Sequence, residues 1–141
     1  MEIKERISRK LRNMKKYYNF LNSYTSISKE DLEKNEVLRY AIERNFHLVI
    51  ESALDIGEII ISKEEFEKPE EYKNVILLLG KKDIIPKNFS EKFASAASFR
   101  NILVHLYEDV DVEKLIIYLK NNLEDFNKFK KYIVKYVENL K

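Results

Sequence analysis

The stretch Ile3-Lys4-Glu5-Arg6-Ile7-Ser8-Arg9-Lys10-Leu11-Arg12-Asn13-Met14-Lys15-Lys16-Tyr17-Tyr18-Asn19-Phe20-Leu21-Asn22-Ser23-Tyr24-Thr25 decides the fold class. Its apolar residues Ile3, Ile7, Leu11, Met14, Tyr17 or Tyr18, Leu21 and Tyr24 recur at steps of three and four, while Lys, Arg, Glu, Asn and Ser fill most of the other positions. That period draws one apolar stripe along a helix ending near Thr25 and leaves the other faces wet. Such a helix needs partners on one side only, as in a bundle.

Outward from it the same grammar repeats. Ser28 followed by Asp31 is a capping-type start for a short helix, and Asn35 caps a second long helix predicted from about Glu36 to Ser62. Gly57 falls inside that helix, where it costs about 1 kcal/mol relative to Ala, so another backbone is expected to approach closely there. Pro69 with Glu70 and Glu71 suits the first turn of a third helix, which should end near Gly80 in a left-handed cap. After Pro86 a fourth helix starts near Asn88 or Ser90 and runs through Phe93, Ala97 and Phe99. Asp111 caps the last, with Val112, Leu115, Ile116, Leu119, Leu123, Phe126, Phe129, Ile133 and Tyr136 in period. The expectation is an all-α, up-and-down bundle of four long helices plus a short one, as a single domain over residues 1–141.

Composition agrees. The chain has 141 residues, 45% hydrophobic, with only 2 Gly and 2 Pro, whereas sheet folds need turn residues every ~8–12 positions. No apolar run approaches the roughly 20 residues of a membrane span, and the N-terminus lacks the apolar stretch of a signal peptide, so no membrane association and a cytoplasmic location are expected. Cysteine is absent and His numbers 2, which excludes disulfides, thiolate metal sites and cysteine nucleophiles. Lys and Arg (26) nearly balance Asp and Glu (24), but they are segregated. Lys4, Arg6, Arg9, Lys10, Arg12, Lys15 and Lys16 crowd one end, Lys128, Lys130, Lys131 and Lys135 the other, and Glu64, Glu65, Glu67, Glu70 and Glu71 the middle. A basic face can attract phosphates even when total charge is near zero, although surface helices rich in Lys and Glu are more often simply solvated.

Two sets of residues carry candidate chemistry. Arg44, His47, Glu51 and Asp55 share one face of the second long helix, and Tyr40 extends the stripe by a turn. A polar stripe of this kind is more often a solvated face than a site. The denser signal is Ser98-Phe99-Arg100-Asn101-Ile102-Leu103-Val104-His105-Leu106-Tyr107, with Arg, amide, His and phenol within ten residues. On a straight helix Arg100 and His105 differ by about 140°, so they cannot aim at one point. Either the helix unwinds near His105 or two copies meet across a symmetric dimer. The small-residue run Ala94-Ser95-Ala96-Ala97-Ser98 favours the dimer. The chemistry suited to Arg plus His without metal or other cofactor is RNA phosphodiester transfer, in which His moves protons and Arg neutralises phosphate charge.

At this segment the chain resembles the HEPN superfamily, whose mark is an Arg, a polar residue, a few variable positions and a His. With Tyr107 added, it resembles more narrowly the HepT-like toxins that pair with a minimal nucleotidyltransferase antitoxin. Tyr40-Ala41-Ile42-Glu43-Arg44 with Glu51 and Asp55 looks like that family's second helix, and Ile85-Pro86 with Phe89 like the approach to its motif helix. The resemblance implies a metal-independent endoribonuclease toxin, dimeric, with RNA bound between protomers. It implies that Arg100 and His105 are catalytic, that Asn101 positions, that Arg44, Glu51 and Asp55 support them from behind, and that the antitoxin attaches AMP to Tyr107. Ser98 stands where relatives commonly have Gly, Leu106 where small or polar residues are frequent, and His47 where a neutral polar residue is expected; His47 receives no catalytic role. The competing reading is a non-catalytic helical substrate-binding partner of a nucleotidyltransferase, against which the intact Arg100, His105 and Tyr107 argue.

Overall fold

A computed structural model describes residues 2–103 and 111–140. Eight helical segments are present there: α1 (Ile3–Asn22), α2 (Lys29–Lys34), α3 (Glu36–Lys63), α4 (Tyr72–Lys81), α5 (Lys87–Phe93), α6 (Ser95–Leu103), α7 (Val112–Asn121) and α8 (Glu124–Glu138). No strand occurs among the described residues, and no helix among them is long and apolar enough to cross a membrane. The all-helical bundle is the one the periodicity predicts.

The 28-residue α3 is the axis of the bundle, with α1, α2, α4, α6 and α8 packed against it. Its C-terminal half buries residues on nearly every side, among them Leu54, Ile56, Gly57, Ile59, Ile60 and Ile61. The earlier half keeps a polar flank. α1 lies on α3 through Ile7, Leu11, Met14 and Leu21, while Ile3, Tyr17, Tyr18 and Tyr24 pack at the margin. Three anticipated caps are present: Ser28 Oγ accepts from Asp31 N, Asn35 Oδ1 from Leu38 N and Asp111 Oδ1 from Glu113 N.

Segmentation differs from the sequence expectation at four places. The helix expected to start near Asn88 or Ser90 starts at Lys87 after Pro86 and breaks at Ala94. The break lets α5 and α6 point aromatic rings in different directions: Phe93 against Phe126 and Phe129, Phe99 against Phe46 and Tyr118. Tyr118 Oη donates to the Ser95 carbonyl at the break, 3.3 Å away. The last helix is divided at Asn122, because α7 and α8 fold over the same core and so preserve one apolar period across a turn. Pro69 lies before α4, which begins at Tyr72. Gly80 stays helical, and the positive φ of the following turn falls on Asp83 (60°).

Both glycines serve close approach. A Cβ on Gly57 would lie 2.7 Å from Val75 Cγ1 of α4. A Cβ on Gly80 would overlap Ser90 Cβ and Oγ of α5, and Ser90 is fully enclosed, its hydroxyl donating to the Lys87 carbonyl at 2.7 Å. Overpacking of a tight core typically costs about 1–3 kcal/mol. Gly80→Ala is therefore expected to lower Tm by several degrees, and Ser90→Gly, by opening the same space, to make the double variant less destabilised than the sum of the singles. Thermal unfolding of the four proteins checks this; strict additivity would show that the Gly80–Ser90 approach is not the cause.

Candidate active site

The polar flank of α3 meets α6 and α4 at one point, and Arg100 is the residue that joins them. Phe99 is fully buried, so its neighbour Arg100, about 100° round α6, is turned to the flank facing α3 and α4. There its Nε donates to Glu51 Oε1, and its guanidinium lies over the ring of Tyr72, 4.3 Å from the centroid. Glu51 Oε1 also faces His47 Nε2 at 3.6 Å. Arg44 Nη1 is 3.3 Å from His47 Nδ1. The result is a chain of groups, Arg44–His47–Glu51–Arg100, capped by the Tyr72 ring.

Burial lowers the His47 pKa below its ordinary range, and the neighbouring Arg44 and Arg100 push the same way against Glu51. His47 is thus neutral at pH 7. An Arg can only donate, so the Arg44 contact assigns Nδ1 as acceptor and leaves the Nε2 proton directed to Glu51. Glu51 engages Nε of Arg100, and the two terminal nitrogens, the pair suited to forked phosphate contacts, have no hydrogen-bond partner among the described residues. Arg100 is 17% exposed, so anchoring does not seal it off.

The predicted residues divide accordingly. Arg44, Glu51 and Arg100 come together. Asp55, one turn beyond Glu51, faces α1 instead, where it binds Lys10 Nζ at 2.9 Å. Asn101 is exposed beside Arg100 and, with Glu70, Glu71, Tyr72, Lys73, Ala97 and Ser98, lines a cavity of about 440 Å³. His105 and Tyr107 lie outside the described residues. The small-residue run is partly spent inside the protomer: Ala94 and Ala97 are buried in its own core, while Ser98 is exposed. The spacing places His47 on the shared face of Arg44 and Glu51 but gives it no role, and in the structure it joins the two. Tyr72 is not singled out by the sequence, because only the packing of α4 on α6 brings it to Arg100.

The Ribonuclease HepT-like family profile matches residues 14–133. A tRNA nuclease HepT of Aphanizomenon flos-aquae (strain 2012/KM1/D3) is 25% identical over 131 residues, covering 93% of this chain and 89% of that protein. An mRNA nuclease HepT of Shewanella oneidensis is 24% identical over 92 residues, 65% of this chain and 69% of that one. Among solved structures, a tri-AMPylated Shewanella oneidensis HEPN toxin in complex with MNT antitoxin superimposes with a TM-score of 0.82 over 96% of this chain and 98% of that chain, at 20% identity, a likeness of fold. With the family profile spanning α1 to α8 and the helical bundle on which it falls, this chain belongs to the HepT-like ribonuclease family of HEPN proteins.

Proposed function

We propose that this protein is a metal-independent endoribonuclease, the toxin of a toxin–antitoxin pair, with Arg100 and His105 as its catalytic residues. The observation that carries this reading is the setting of Arg100, five residues before His105 in sequence: Glu51 and Tyr72 fix the guanidinium, and its terminal nitrogens have no hydrogen-bond partner among the described residues. The names of the relatives, a tRNA nuclease and an mRNA nuclease, support the substrate class.

In the reaction so read, one His105 takes the proton of an RNA 2′-hydroxyl, and the 2′-oxygen bonds to the adjacent phosphorus. The bond from phosphorus to the 5′-oxygen breaks, and a second His105 protonates that oxygen. The products are a 2′,3′-cyclic phosphate and a 5′-hydroxyl. Arg100 neutralises the charge that builds on the non-bridging oxygens, and Asn101 positions the phosphate. Two proton transfers need two imidazoles, and the motif holds one, which is the argument for a symmetric dimer. Within each protomer Glu51 positions Arg100, neutral His47 and Arg44 back Glu51, and Asp55 supports the flank by holding α1 through Lys10.

Control follows from Tyr107 if a cognate minimal nucleotidyltransferase is the antitoxin, as the partner named MNT in the solved Shewanella complex suggests. The Tyr107 phenol, losing its proton, attacks the α-phosphorus of ATP; pyrophosphate leaves and AMP stays on the phenol. Tyr107 follows Arg100 by seven residues in the sequence, and the added phosphate would compete with RNA for Arg100.

His105→Ala and Arg100→Ala are each expected to remove RNA cleavage and growth inhibition with the fold retained. Loss of one acid–base group costs about 10²–10⁴ in rate, and loss of one charge-stabilising donor about 10²–10³. A gel assay on total RNA with added chelator, circular dichroism as the fold control, checks both; chelator-sensitive cleavage or an active His105→Ala protein overturns the assignment. Sedimentation equilibrium at micromolar concentration is expected to give a dimer, and a monomer would remove the two-histidine mechanism. Incubation with a minimal nucleotidyltransferase encoded beside this gene, ATP and magnesium is expected to add AMP to Tyr107 by mass spectrometry, and Tyr107→Phe to escape inactivation. Neutralisation with Tyr107 unmodified would show inhibition by binding alone.

A further inference from the structure

Arg100 covers one side of the Tyr72 ring, yet Tyr72 remains 40% exposed, and its surface borders the cavity of about 440 Å³ beside the motif. That volume lies within the range of small-molecule sites. Buried Ala97 and exposed Ser98, Asn101, Glu70 and Glu71 line it beside Tyr72. An aromatic surface next to a phosphate-binding guanidinium, with short polar side chains alongside, is the arrangement that holds a single unpaired base while its phosphate is engaged. Lys73 lines the cavity as well and pairs with Glu71, its Nζ 3.6 Å from Oε2; two carboxylates against this one cation leave a lining that favours N–H groups over phosphate.

Resting on the RNA-cleaving reading above, we infer that this cavity is a nucleobase subsite: the base next to the scissile phosphate stacks on Tyr72 while Arg100 holds that phosphate. Glu70 or Glu71 accepts from an exocyclic amine, a group that adenine, cytosine and guanine carry. Uracil has no exocyclic amine: its O4 carbonyl stands where cytosine has the amine, a carboxylate repels that oxygen, and only the single N3–H between two carbonyls is left as a donor. Tyr72 is then a specificity-determining residue, and Asn101 reads the base edge in addition to its positioning role.

The test uses the intact protein and oligodeoxynucleotides carrying one ribonucleotide, hence one cleavable bond, with A, C, G or U on either side. Uridine in the subsite is expected to give the highest KM. Tyr72→Ala is expected to raise KM roughly 5- to 150-fold, the range that loss of one base stack produces, while Tyr72→Phe keeps the wild-type KM. Glu70→Gln combined with Glu71→Gln, both at exposed positions, is expected to erase discrimination against uridine. A fall in kcat with KM unchanged and equal for all bases would mean that Tyr72 only supports Arg100, and would overturn the subsite. Binding of 2′-O-methyl oligonucleotides, which lack the attacking hydroxyl, separates the two readings. The same base order in binding without any cleavage of RNA would sink the nuclease reading and keep the subsite; cleavage without base order, lost on no Tyr72 variant, would do the reverse.

Discussion

The stacking of Phe99 between Phe46 and Tyr118 is the contact from which the rest of the site is set. Its ring lies 3.9 Å from that of Tyr118 at an interplanar angle of 10°, and meets Phe46 edge-on at 5.5 Å and 87°. Three helices are joined there: Phe46 belongs to α3, Phe99 to α6 and Tyr118 to α7. Loss of a buried Phe ring commonly costs about 3–5 kcal/mol, a large part of the stability of a small domain. A helix pinned so firmly by one residue has no freedom to rotate the next, and the next is Arg100.

Electrostatics on the α3 flank then follow from what each position must neutralise. Arg100 is mostly enclosed, and a guanidinium cannot shed its charge, so a carboxylate in contact is the condition for its burial. Glu51 meets that condition and also faces His47. Burial disfavours the imidazolium most, and the nearby Arg44 and Arg100 add to it against Glu51, so His47 stays neutral and no third cation is trapped in the cluster. The Lys10–Asp55 pair one turn away is more open, with both side chains more than a third exposed, and contributes little beyond holding α1 in register. The same face of one helix thus carries an inner pair that fixes the Arg100 guanidinium and an outer pair that fastens a neighbouring helix.

The position of α4 depends on space rather than charge. Gly57 and Gly80 let α4 settle against α3 and α5 at distances that a methyl group would forbid. That approach places Tyr72, the first residue of α4, under the guanidinium of α6. The place of the Tyr72 ring beside the cation thus depends on two missing side chains some distance from it.

Sequence alone determined the helical class, the long central helix with its Asn35 cap and the shared face of Arg44, His47 and Glu51, because all of these are set by residues within a few turns of each other; at Gly57 it anticipated a neighbouring backbone, whereas the side chains of Val75 and Leu79 approach there. It also supplied the Arg100–His105 motif as the candidate for chemistry, on residue type and spacing alone. It did not determine the breaks at Ala94 and Asn122, since a helical period continues unchanged when two segments fold over one core. Nor could it decide that Asp55 turns to α1 while Glu51 turns to α6: the two are equivalent along the helix and differ only in which neighbour is packed there. Tyr72 shows the limit best. Nothing local distinguishes it from the other tyrosines of the chain, and only the tertiary approach of α4 to α6 makes it a partner of Arg100.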